Sequence, residues 1–376
     1  MTRKERLWAV HKGEDPDRIP VKLWALTKNQ KLLHPDYQRI YDLAIEKTDL
    51  FGSTGFPFNI YHGTKTENVY SGRVEKHSDD WNAHITVMHT PGGDLQSTYL
   101  SPTKAYAGLT TEYFIKDADD LKKILMLDYE PYPITDLSHY EDKLAEMGDT
   151  GITHIGITHP AYMLYNLMGS ELLGYLLYDE PELMYEVVSV FGKRLNDHIK
   201  DIIDAGIGKY GPFVFAYVGP ELFIPPLVSY DIFEKYCFDI DKKNHDIIKN
   251  AGGYVWVHCH NKVGKLIPRF ADMGVDVLNP IEPPPAGDCT IEEAVEAAAG
   301  RITLEGNIEI ADLLYKDKDY ICNFLDNTVR VGSAYKRFIL CPSTGYMEYL
   351  NPTEKFIDNL ITYVNYGVEL AEKYAK

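Results

Sequence analysis

A chain of 376 residues with a formal net charge of −18 repels nucleic acid phosphates and anionic lipid, which leaves small molecules or another protein as ligands. Hydrophobic residues make up 45% of it, enough for a large core, and no run of about eighteen apolar residues offers a membrane span. Its five cysteines, at 237, 259, 289, 322 and 341, are scattered and odd in number, which points to free thiols in a reducing cytoplasm rather than to a disulfide framework.

The opening MTRKERLWAVHKGEDPDRIP is charged throughout and lacks the apolar centre of a signal peptide. It reads as a short helix, with Thr2 and Glu5 as a capping box and Gly13 as its stop. In residues 66–115 the texture changes. TVMHTPGGDLQSTY alternates around a PGGD turn, which predicts a small antiparallel hairpin inserted at about 60–115. GITHIGIT (151–158) is a strand candidate. Residues 179–206 form a capped helix pattern with Leu183, Val187, Phe191, Leu195 and Ile199 on one face. Strands are then expected at 212–218, 254–258, 275–282, 302–307 and 337–341. Helices are expected between them at 229–250, 262–273, 290–299 and 310–330, and a terminal helix opens at Pro352 with Phe356, Leu360 and Val364 on its apolar face.

Short apolar strands alternating with amphipathic helices mean parallel strand–helix–strand units. Their spacing, and the lack of a glycine-rich nucleotide fingerprint after any strand, favour a (β/α)8 barrel over an open doubly wound sheet. No long linker, low-complexity tract or repeat interrupts the chain, so residues 1–376 read as one domain carrying the hairpin.

In such a barrel the active site gathers at the C-terminal ends of the strands. The expected strand tips carry Tyr217 to Glu221, His258 with His260, Glu282, Asn307 and Cys341. In VWVHCHNKVG (255–264), positions 258 and 260 point to one side of an extended backbone and Cys259 to the other. Glu221, His258, His260 and Cys341 offer the ligand types that zinc takes at about 2.0–2.3 Å, with one position left open in a catalytic site. Cys237, Cys289 and Cys322 fall in helices or loops and read as structural. His154 and His159 bracket a strand and read as core or rim.

These segments together resemble the uroporphyrinogen decarboxylase superfamily over nearly the whole length. The resemblance rests on the N-terminal helix followed by DRIPV (17–21), on the H-x-H loop followed by GKLIPRFADMGVDVLNPIE (264–282), on ITLEGNIE (302–309) and on FILCPSTGY (338–346). The porphyrinogen decarboxylases resemble one another at an Arg-Gln-Ala-Gly-Arg-Tyr segment soon after the first strand. Here that place reads KLWALTKNQK (22–31), and Cys341 to Tyr346 stand where those enzymes carry a histidine. The corrinoid methyltransferases are similar to this chain in a His-x-Cys pair after the same strand and a distant Cys after the last, which together hold zinc. His258 matches the first ligand, and His260 stands where that pattern has Cys. Cys341 falls a few residues before the expected Cys, near Thr344, and Glu221 stands where a carboxylate near the metal belongs.

Exchanging a thiolate for imidazole hardens the site and suits an oxygen substrate better than a thiol. The resemblance therefore implies a zinc-dependent (or similar divalent ion) methyltransferase. It would carry a methyl group from a methylated oxygen compound, most naturally an aryl methyl ether, to a separate corrinoid protein. Glu221 and His260 are the expected catalytic residues, with Tyr217, Glu282 and Asn307 against the substrate. Methyl transfer from methylcobamide to a thiol such as coenzyme M is the alternative, and a decarboxylase the third. The count of 28 tyrosines is compatible with an aromatic substrate.

Overall fold

The computed structural model describes residues 1–103, 108–345 and 349–375; Tyr346, the end of the FILCPSTGY segment, lies outside the described residues. The strands are β1 (Leu50–Thr54), β2 (Tyr70–Lys76), β3 (Trp81–Met88), β4 (Leu95–Pro102), β5 (Leu109–Glu112), β6 (Gly151–Thr158), β7 (Val214–Val218), β8 (Tyr254–His258), β9 (Val277–Ile281), β10 (Thr303–Ile308) and β11 (Phe338–Pro342). Among the described residues they form a curled parallel sheet of seven strands, β1-β6-β7-β8-β9-β10-β11, and a separate antiparallel sheet, β2-β3-β4-β5. Each parallel neighbour follows its predecessor through helix, as strand–helix–strand units require.

Seven regular strands stand where eight were expected. Residues 20–22 lie beside β11 as a single bridge, Val21 opposite Leu340. Lys22 N–H donates to Leu340 O at 2.9 Å, Leu340 N–H donates to Pro20 O at 2.9 Å, and Asp49 N–H donates to Val21 O at 2.7 Å just ahead of β1. Pro20 has no N–H to extend the ladder, which keeps the segment short. The buried Asp49 carboxylate fastens the same region, accepting from Arg6, Arg18 and Val21 N–H.

The hairpin around PGGD is present as β3 and β4, and two further strands flank it. β2 is exposed along its whole length and β5 is short, so neither carries the apolar alternation that would mark it in the sequence. The helix expected at 229–250 is interrupted by a π turn over Glu234–Phe238. The pattern over 310–330 divides into Ile310–Tyr315 and Lys318–Tyr335, the second capped by Asp317. Helix Pro160–Asp179 was not expected. Its apolar residues run all round, so no single face stands out, and it bends at Gly169 with φ 73°.

Alternation sorts the side chains between two cores. The inner face of the curled sheet packs Ile152, Val214, Ala216, Trp256, Val277 and Ile339 against Leu7, Trp8 and Val10 of helix Arg3–Lys12. That helix has the Thr2–Glu5 capping box and the left-handed Gly13 stop foreseen from sequence. The outer face packs the intervening residues, such as Phe215, Tyr217, Val255 and Val257, under the surrounding helices. No helix of the described residues is long and apolar enough to cross a membrane, and all five cysteines are free.

Candidate active site

β8 ends inside the curl. Trp256 belongs to the inner core and Cys259 to the outer one, so His258 points inward and Cys259 away, as the extended spacing requires. The His258 ring stacks on Trp24 with centroids 4.3 Å apart and lies parallel to Trp256 at 6.0 Å. His260 meets it edge-on at 4.5 Å. Nδ1 of His258 lies 2.7 Å from Asn279 Oδ1. Asn279 Nδ2 donates to Glu305 Oε1 at 2.9 Å, Trp256 Nε1 donates to Glu305 Oε2 at 3.0 Å, and Lys22 Nζ sits 2.6 Å from Glu305 Oε1. Burial holds the His258 pKa down to about 3, and the nearby His260 and Lys22 push the same way.

His260 takes the opposite course. Burial pulls its pKa down, but the hydrogen bond from Nδ1 to Glu282 Oε1 at 2.8 Å, and the charges of Glu282, Glu221 and Glu309, raise it above the usual imidazole value. The loop turns at Asn261, whose φ of 76° is left-handed, a conformation asparagine tolerates better than most residues. Its N–H donates to Glu282 Oε2 at 3.3 Å, and its side-chain amide reaches the Glu221 carbonyl at 3.5 Å. Glu221 itself is delivered by a sharp turn at Gly219, φ 115°, where a Cβ would stand 2.4 Å from Tyr162 Cβ. Burial raises the Glu221 pKa, and its Oε2 is buried without a partner. Glu309 accepts from Ser343 Oγ at 3.1 Å, leaves Oε1 buried and unpartnered, and is pushed up to about 7 by burial and by the charge of Glu282.

The structure thus gathers His258, His260, Glu221 and Glu282 at one end of the sheet. Three of the sequence-derived site residues stand elsewhere. Tyr217 has outward parity in β7 and packs edge-on against His245 at 5.0 Å, under a helix and not against a substrate. Asn307 turns to the helical layer, where Thr328 Oγ1 donates to its Oδ1 at 3.0 Å. Cys341 is fully buried beside Lys22 and Glu305, and burial drives its thiol pKa far up. Among the described residues no three of Glu221, His258, His260 and Cys341 bring ligand atoms mutually within 4.8 Å; the group that does is His159, Cys237 and Asp241. There His159 Nδ1 accepts from Ala161 N–H at 3.1 Å, so the ring hydrogen is on Nε2 and is donated to Asp241 at 2.8 Å. That pair is already satisfied without an ion.

Several functional neighbours escaped the sequence reading. Asn279 and Glu305 sit at inward parity in β9 and β10, and counting alternate residues along those strands would have found them. Lys22 and Trp24 lie in irregular chain and carry no such signal. Glu309 follows β10, one residue beyond the strand.

Gly287 supports the cluster from behind. A Cβ there would fall 2.0 Å from the Glu282 carbonyl oxygen and 2.9 Å from Glu282 Cβ. Gly287→Ala is expected to push Glu282 away from His260 and to cost about 1–3 kcal/mol of stability, the usual range for overpacking. In an NMR titration the His260 pKa should fall toward or below the ordinary imidazole value; an unshifted titration would show that Glu282 had not moved.

A family model of uroporphyrinogen decarboxylase matches residues 113–356. The chain belongs to the uroporphyrinogen decarboxylase family. A solved methyltransferase from Methanosarcina mazei aligns with a TM-score of 0.56 over 97% of this chain and 98% of that one. The two are 14% identical, so the likeness is one of fold. No curated protein matches the sequence. The match to the uroporphyrinogen decarboxylase family spans β6 to β11 and includes every carboxylate and imidazole of the cluster.

Proposed function

We propose that the chain is a metal-dependent methyltransferase that carries a methyl group from a methylated oxygen compound, such as an aryl methyl ether, to the cobalt of a separate corrinoid protein. The observation behind this reading is the pair of buried, unpartnered oxygens, Glu221 Oε2 and Glu309 Oε1, in the charge field of His260, whose ring meets that of His258. Buried carboxylate oxygens normally have partners, so the cluster is short of a cation or a donor. The donor set of imidazole and carboxylate suits a divalent ion such as zinc in chemistry; Glu221, His258 and His260 are the residues that would hold it, and their ligand atoms, not all within 4.8 Å of one another here, would have to draw together around the ion. Cys341 is left out of that set because its thiol is fully buried and burial holds it strongly in the protonated form. When bound, the ion would polarise the ether oxygen and ease departure of the phenolate.

The chain's own residues supply the rest. Glu282 holds the His260 ring in place through Nδ1, and Trp24 offers an aromatic face beside His258. The ether oxygen would keep the electron pair of the broken bond, and the methyl group would pass to the Co(I) of the corrinoid protein, which would supply the pair of the new bond. The corrinoid protein presents its cobalt over a rim built from loops 219–230, 260–264, 283–290 and 342–351; residues 346–348 of the last lie outside the described residues. We read residues 1–376 as one cytoplasmic domain with residues 20–22 in the eighth strand position of a (β/α)8 barrel. Decarboxylation is disfavoured by charge. Glu221, Glu282 and Glu309 at the mouth oppose a carboxylate substrate, and Lys22 is engaged with Glu305.

Purified protein, a reduced corrinoid protein and an aryl methyl ether are expected to yield the methylated corrinoid, read from its absorption spectrum. Formation of a thioether from methylcobalamin and coenzyme M, with no reaction on ethers, would establish the thiol reading instead. His258→Ala is expected to lose about one divalent ion per chain while keeping its fold. Stoichiometric metal in that variant would remove His258 from the site.

A further inference from the structure

We propose that Lys22, Glu305 and Asn279 are positioning residues that fix His258 in the Nδ1–H tautomer, so that Nε2 always presents a lone pair to the mouth. The argument runs from donor and acceptor types. An ammonium only donates, and Lys22 Nζ lies 2.6 Å from Glu305 Oε1. An indole N–H only donates, and that of Trp256 takes Glu305 Oε2 at 3.0 Å. Between these two donors the carboxylate acts as an acceptor, so the amide atom of Asn279 facing it at 2.9 Å is the NH2. The amide oxygen of Asn279 therefore faces His258, 2.7 Å from Nδ1. An amide oxygen only accepts, so the ring hydrogen sits on Nδ1 and the lone pair on Nε2. The stacks on Trp24 and Trp256 hold the plane of the ring while the relay selects the nitrogen.

Each member of the relay is buried, so water does not compete for these bonds. The chain of partners reaches from residue 22, beside β11, through β10 and β9 to the end of β8. Its consequence for the site rests on the reading of His258 as a ligand or acceptor in methyl transfer. A ring with its hydrogen on Nε2 would turn a donor toward the ion or the substrate oxygen and could not coordinate through that atom.

The tautomer can be read without any turnover. The full chain, labelled with nitrogen-15 in its thirteen histidines, gives a two-bond nitrogen–proton correlation pattern for each imidazole. His258→Gln identifies the pattern belonging to His258. At neutral pH, before metal is added, the expected pattern is that of Nδ1–H. An Nε2–H pattern, or an averaged mixture of the two, overturns the proposal, and this test on the unaltered chain needs no further variant to fold. Asn279→Leu is expected to release the tautomer into a mixture and to weaken cobalt(II) binding, read from its visible absorption, by roughly 10–100-fold. An unchanged pattern in Asn279→Leu also overturns the proposal. A fixed Nδ1–H tautomer in a chain that transfers no methyl group would count against the proposed reaction and leave the relay standing.

Discussion

Replacing Glu305 by alanine is expected to destabilise the folded chain by about 3–5 kcal/mol, the range found when one partner of a buried ion pair is removed. Lys22 is only 3% exposed, and Glu305 is completely buried. The Lys22 ammonium would be left 3.4 Å from the centre of the Phe51 ring with no counter-charge. The indole N–H of Trp256 and the amide of Asn279 would lose their acceptor at the same time. A cation over aromatic rings gains up to about 2 kcal/mol, which offsets part of the loss and not all of it. Urea unfolding of Glu305→Ala beside the unaltered chain measures the difference. The double change Lys22→Met with Glu305→Leu removes both charges and should recover the part of the loss due to the unpaired ammonium, while the buried donors of Trp256 and Asn279 still lack their acceptor. A loss below about 1 kcal/mol in the single variant would mean that water or a structural shift had reached Lys22.

Acid should weaken the fold well before its surface carboxylates are titrated. Burial holds the imidazoles of His11, His198 and His245 down to about 4, and pushes that of His154 well below its ordinary value. Lys22 adds to the effect at His11 and His154, whereas Asp241 opposes it at His245. The sign follows from linkage. The unfolded chain binds these protons near pH 6.5 and the folded chain does not, so stability is complete above that pH and is lost as pH falls through 6.5 toward 4. At about 1.4 kcal/mol per pKa unit, each imidazole held at about 4 withdraws roughly 3 kcal/mol by the lower end of that window. Glu309, raised to about 7, works the other way and softens the upper part of the fall. The urea midpoint is expected to be clearly lower at pH 5 than at pH 7.5, and equal midpoints would contradict the burial of neutral imidazoles.

The sequence was most legible where one face of an element meets the core. β6 and β8 fall on the expected residues because their apolar runs are bounded by polar turns. Helix Pro181–Asp204 falls close to its expected limits because Val187, Phe191, Leu195 and Ile199 keep a strict helical period. Legibility failed where that periodicity vanishes, as in helix Pro160–Asp179, apolar on every side, and in β2, exposed on both faces. In the site, alternation correctly separated His258 from Cys259. It was not carried through β7, where the same count places Tyr217 outward. Asn307 has the inward parity of Glu305 and yet bonds to Thr328, so alternation alone would have misplaced it. The relay behind His258 depends on residues more than two hundred positions apart, Lys22 and Glu305, and no local pattern announces such a pair.

Helix Arg3–Lys12 fills the inner face of the sheet with partners that the ribosome delivers late. The Thr303 hydroxyl donates to the carbonyl of Val10 across 293 residues of sequence, and Ile339 completes the apolar contact. Leu7, Trp8 and Val10 therefore emerge early in synthesis, and their docking site, begun by Ile152, Val214 and Trp256, is complete only when β10 and β11 have been made. Closing so long a loop is slow and leaves apolar surface open to other chains in the meantime. The order of synthesis thus sets the order of packing, with the first helix completed by the last strands.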